Sequence, residues 1–102
     1  MTDPHSIPAD PLDDTVEFSL EELCRVCGVH EQLVIEIVEE GVVEPAGTNR
    51  LHWRFSGLAV TRIQRVIRLQ QDFEVNLPGA ALALQLLEEI DRLKRGRIRK
   101  RR

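Results

Sequence analysis

Apolar side chains recur along this chain at helical spacings, interrupted by short breaks of glycine, proline and polar residues. Ser19 is followed three residues later by Glu22, the capping-box pattern in which each side chain satisfies the other's orphan amide. Leu20, Leu23, Cys24 and Cys27 then fall at i, i+3, i+4 and i+7, which predicts one buried stripe of a first helix. Gly28 breaks that helix in a tight turn, Val29 plugs the core, and His30 is placed to cap a second helix. In the second helix, over 31–40, Leu33, Val34 and Ile37 form the inward face, and Gly41 ends it before the extended exit Val42-Val43-Glu44-Pro45. The span 18–41 is thus a helix-turn-helix.

Ala46-Gly47-Thr48-Asn49-Arg50 reads as a turn and Leu51-His52-Trp53-Arg54-Phe55 as strand-like, together predicting a small β-wing. Ser56 caps a third helix over 57–73, where Leu58, Ile63, Val66, Ile67 and Leu69 interleave with Arg62, Arg65 and Arg68. Asn76-Leu77-Pro78-Gly79 marks the next boundary, with Pro78 suited to a first helical turn. The last helix is expected from Gly79 or Ala80. Ala83, Leu86, Ile90 and Leu93 repeat there at 3, 4, 3, a short coiled-coil seam. That seam predicts a homodimer, with Leu82 and Leu87 adding contact area. The fold class is mainly α: a winged helix-turn-helix with a small β-wing and a C-terminal dimerisation helix.

The chain's 102 residues suit one small domain. At this size burial alone is only moderately stabilising, and self-association is a common supplement. Residues 1–15 hold Pro4, Pro8 and Pro11 among Asp3, Asp10, Asp13 and Asp14, a composition that predicts a disordered acidic leader. The domain proper is expected over 16–94 and a basic tail over 95–102; from Arg92 onward eight of eleven residues are basic, and helical order is expected to fade. The net charge of -3 conceals a polarity: residues 1–50 hold 12 acids against 2 bases, residues 51–102 hold 5 acids against 12 bases. Such asymmetry reports partners or self-association. No apolar run approaches the ~20 residues a bilayer span needs, and Met1-Thr2-Asp3-Pro4-His5 lacks a signal peptide's basic start. A cytoplasmic protein without membrane association is expected, its Cys24 and Cys27 reduced.

The second helix carries glutamates where a DNA reader carries arginines: four carboxylates from Glu31 to Glu40 and no lysine or arginine. Duplex binding rests on cations displacing condensed counterions, so sequence-specific DNA binding is not expected. Glu31, Ile35, Val38 and Glu39 point outward by helical spacing, which predicts an apolar centre with a charged rim, the make-up of a protein interface; an ordinary solvated face is the alternative. Glu36 and Glu40 extend that rim, and Trp53 on the wing adds a hot-spot residue type. Cys24-x-x-Cys27 is half a zinc site, for which His30 and His52 could be imagined as the rest; the thiols fall on the buried stripe, and no metal or other cofactor is expected. Arg62, Arg65, Arg68 and the basic tail predict at most weak, salt-sensitive nucleic-acid affinity, since aromatics for base stacking are not interleaved; a solvated tail, attraction to the acidic half of a dimer mate and contact with an acidic partner are the competing uses. No nucleophile with a base, no phosphate loop and no metal triad is present, so the function is binding and not catalysis.

Phe18-Ser19-Leu20-Glu21-Glu22-Leu23, Gly28-Val29, Gly41-Val42-Val43-Glu44-Pro45 and Trp53-Arg54-Phe55-Ser56 resemble the winged helix-turn-helix domain of the MerR family. Gln64-Arg65-Val66-Ile67-Arg68-Leu69 and Leu77-Pro78-Gly79-Ala80-Ala81-Leu82-Ala83-Leu84 are similar to its chaperone-modulator branch, the CbpM-like proteins. The resemblance covers about residues 16–94. It implies a regulator that binds the J-domain of a DnaJ-like (CbpA-like) co-chaperone and inhibits it; the alternative is a MerR-like DNA-binding transcriptional regulator. Against that alternative, DNA-binding relatives place arginines at the positions of Gln32 and Ile35, paired aromatics at Glu36 and Ile37, and a wing arginine at Trp53.

Overall fold

The structure, a computed structural model, describes residues 16–100, with side chains described as far as Gly96. The acidic leader and the end of the basic tail lie outside the described residues. In chain order the elements are β1 (Glu17–Phe18), α1 (Leu20–Cys27), α2 (Glu31–Glu39), a 3-10 turn (Arg50–His52), β2 (Phe55–Ser56), α3 (Gly57–Phe73) and α4 (Leu77–Lys100). Backbone contacts divide the chain into two compact units, the first ending at Arg65 and the second starting at Val66. The architecture is mainly helical with one small antiparallel sheet.

In the first unit, α1 begins as its sequence dictates. The Ser19 hydroxyl accepts from the Glu22 amide (3.1 Å), and the Glu22 carboxylate accepts from the Ser19 amide (2.8 Å). Phe18 and Leu23 occupy the positions of a hydrophobic staple and both are buried. Gly28 closes α1 at φ 70, its amide donating to the Cys24 carbonyl. His30 takes the N-cap position of α2 with its backbone only; its side chain makes no capping bond, contrary to expectation. α2 closes in a Schellman motif. The Gly41 amide donates to Val38 (2.9 Å) and the Val42 amide to Ile37 (3.2 Å), with Gly41 at φ 80.

The segment after α2 departs from a two-stranded wing. Ala46 and Arg54 form a single antiparallel pair, exchanging bonds of 2.9 and 3.0 Å. Between them Leu51 and its neighbours coil into the 3-10 turn instead of a strand, because the Asn49 side chain accepts from the Leu51 amide at 3.0 Å and caps that turn. Phe55 and Ser56 pair backward with Phe18 and Glu17. Phe18, Leu20, Leu23, Val34, Ile35, Ile37, Val42, Val43, Phe55, Ala59, Val60 and Ile63 form the buried set of this unit.

In the second unit, Val66, Ala80 and Leu84 are buried. α4 starts at Leu77, earlier than expected, because Asn76 caps it: its carboxamide oxygen accepts from the Gly79 amide (2.9 Å) and its carbonyl from Ala80 (2.9 Å). The helix does not fade at Arg92 but continues to Lys100. Lysine and arginine are good helix formers, and cations at a helix C-terminus oppose its negative dipole end. No helix among the described residues is long and apolar enough to cross a membrane.

Candidate functional site

α2 presents an acid surface. Glu31, Gln32, Glu36, Glu39 and Glu40 are all exposed, and Gln32 donates to the Glu36 carboxylate at 3.4 Å. Every exposed position from Glu31 to Glu40 is therefore a carboxylate or an amide already turned to one. Glu39 and Glu40 end a helix with no basic residue in its last turn. The dipole there is negative, so each carboxylate costs about 0.3–1 kcal/mol relative to a cation.

Ile35 is not part of this surface. It is 5% exposed and belongs to the core, and Val38 is half-buried. Val34, Ile35 and Ile37 together define a buried arc wider than the ~100° stripe of a half-exposed helix, so an outward Ile35 does not survive tertiary packing. Leu33, expected inward, is only half-buried. The surface is thus more purely ionic than its spacing predicts. Arg62 reaches from α3 to the carbonyl of Val42 at 2.5 Å, tying down the segment that leaves α2. Arg65 and Arg68 are exposed, and Arg68 lies 3.9 Å from Asp72.

Within the same unit a cleft of about 250 Å³ opens beneath the 46–54 loop, lined among others by Glu17, Phe18, Glu22, Leu51, Trp53 and Arg54. Trp53 is half-buried and meets the buried Phe55 edge-on, with ring centroids 5.8 Å apart at 87°. Arg54 lies 3.7 Å from Glu17 across the rim. Leu51 is 92% exposed at the tip of the loop. The apolar periodicity does not anticipate its role. The available signal is Asn49 two residues before it, a residue type that caps turns through its side chain.

Cys24 and Cys27 are half-buried free thiols. Burial, and then the neighbouring Cys24, push Cys27 up from 9.0 to about 11. Burial, with Glu31 nearby, also raises Cys24. Both shifts favour the neutral thiol over the thiolate. Among the described residues no group of three or more His, Cys, Asp or Glu is placed to hold a metal ion.

On α4, Leu86, Ile90 and Leu93 are 56%, 46% and 59% exposed, with Leu82 and Leu87 beside them in the same state, whereas Ala83 is half-buried. These large apolar side chains form an exposed row along α4.

Residues 18–100 match the model of the MerR HTH family regulatory proteins. The chain belongs to that family. It is also 40% identical over 79 residues to the chaperone modulatory protein CbpM of Pseudomonas entomophila, with 78% of each chain covered. To the CbpM of Citrobacter koseri it is 42% identical over 80 residues, covering 78% of this chain and 79% of the relative. The CbpM of Salmonella arizonae is 41% identical over the same length. Within the MerR-type family this chain is therefore a member of the chaperone-modulator branch.

Proposed function

We propose that this chaperone modulator binds the J-domain of a DnaJ-like co-chaperone in the cytoplasm and inhibits its co-chaperone activity. Glu31, Glu36, Glu39 and Glu40 form the docking rim, with Val38 and Trp53 contributing apolar contact. The observation that carries this reading is the sign of α2, whose exposed positions are carboxylates and a single carboxamide. J-domains present a basic helix for their meeting with a DnaK-type chaperone, and an acidic surface competes for it by complementary charge. Two of those carboxylates stand at the dipole end that disfavours them. Acids kept where they lower stability are expected where they serve binding.

The α1–α2 pair is the helix-turn-helix of this reading and the 46–54 loop its reduced wing. Leu86, Ile90 and Leu93, with Leu82 and Leu87, supply the seam of a homodimer. Base-specific contacts come from Arg, Lys, Asn or Gln; on α2 only Gln32 qualifies, and it is bonded to Glu36. The role is therefore binding to protein, without catalysis and without sequence-specific duplex recognition.

Co-purification of the full chain with the J-domains of candidate co-chaperones tests this. Retention of one J-domain, together with loss of its stimulation of the chaperone's ATPase, is the expected outcome. A footprint on one defined operator, surviving excess competitor DNA and abolished by changes in α2 or the loop, would restore the transcription-factor alternative.

A further inference from the structure

We propose that the cleft beneath the 46–54 loop receives a lysine or arginine side chain from the protein partner, as a second contact separate from α2. This rests on the partner-binding reading above and deepens it. No residue of α2 lines the cleft. Its walls suit a long cationic side chain in two respects. Phe18, Leu51 and Trp53 offer apolar surface to the aliphatic stem, and two acidic residues, Glu17 and Glu22, belong to the same lining. An indole ring adds an attraction of its own for a cation. Glu22 uses Oε1 to cap α1; its Oε2 is the acceptor assigned to the incoming charge.

The loop is built to stand without a ligand. Asn49 Oδ1 holds the Leu51 amide and the His52 ring, each at 3.0 Å. The paired bonds between Ala46 and Arg54 close its base. Leu51 is therefore exposed on a fixed turn, and a contact already in place loses little freedom when a partner arrives. The rim is also already occupied by the chain's own cation. Arg54 stands 3.7 Å from Glu17, with the two side chains 66% and 53% exposed. So open an ion pair is weak and readily exchanged for an external one.

Trp53 is the only tryptophan in the chain, and there is no tyrosine, so intrinsic tryptophan emission reads this cleft alone. The experiment titrates the full chain with a capped pentapeptide, Gly-Leu-Arg-Leu-Gly, and with the same peptide carrying glutamine in place of arginine. The arginine peptide is expected to shift the emission saturably, and the glutamine peptide to do so several times more weakly. Glu17→Gln and Glu22→Gln should each weaken the response about two- to fivefold, the range of an exposed ion pair. Arg54→Gln, which removes the internal competitor, should strengthen it by about the same factor. Equal responses to the two peptides, no saturable response, or weakening by Arg54→Gln would overturn the proposal.

The J-domain supplies the second arm. A J-domain that binds wild type, Glu22→Gln and Leu51→Ala equally, without moving the emission of Trp53, removes the cleft and leaves docking on α2 standing. A selective peptide response with no J-domain bound keeps the cleft and removes the proposed partner.

Discussion

Gly47 shows how much a single residue decides. It sits at φ +102, and a Cβ there would lie 2.5 Å from the carbonyl oxygen of His52. Neither the torsion nor the contact admits a side chain, and the clash is with backbone that cannot swing aside. Gly47→Ala should therefore cost roughly 1–3 kcal/mol in denaturant unfolding and should move the emission of Trp53, whose loop must open. An unchanged midpoint and spectrum would mean that the loop is not closed as described. Cys27 provides a second test at this scale. Its thiol is pushed up to about 11, first by burial and then by Cys24. Alkylation by iodoacetamide in the folded protein should be slow near neutral pH and should accelerate only as the pH climbs toward that value, because the thiolate is the reacting form. Rapid labelling near neutral pH would show a more open helix α1.

At the scale of elements, the docking role proposed for α2 sets stability against binding. Glu39 and Glu40 face the negative end of their own helix dipole. Glu39→Lys with Glu40→Lys should therefore raise stability, by about 0.3–1 kcal/mol per position, in thermal unfolding. A fall in the midpoint would mean that these carboxylates hold favourable contacts within the protein. The elements legible from sequence are those whose ends are written locally. Ser19 with Glu22, Gly28, and Ser56 before α3 carry their signals within three or four residues, and the structure places those ends accordingly. What depends on distant partners was not legible. Ile35 turns inward because packing on α2 reaches past one stripe, and helical spacing carries no information about how wide that packing is. Phe55 pairs with Phe18, a contact across a sequence separation that no local pattern encodes. The exposure of the α2 glutamates was legible, since unpaired carboxylates are almost never buried.

For the whole molecule, the separation of charge between an acidic first half and a basic second half fits the proposal that docking and self-association use different parts of the chain. The exposed row of Leu86, Ile90 and Leu93 on α4 is the seam proposed for self-association. Two heptads are marginal for an isolated coiled coil, so flanking residues must add area. Leu86→Lys with Ile90→Lys should yield a monomer in light scattering with unchanged helical circular dichroism, where wild type is expected to be a dimer at roughly tens of micromolar. A wild-type monomer at that concentration would contradict the seam. The central claim is that the acid face of α2 receives a J-domain. The measurement that tests it most directly is calorimetric titration of a DnaJ-like co-chaperone's J-domain into wild type and into the Glu39→Lys, Glu40→Lys variant. The account predicts that the variant binds about tenfold or more weakly, with an affinity less sensitive to salt, while unfolding at the same or a higher temperature. Equal affinity in the two proteins, with the same salt dependence, would contradict it.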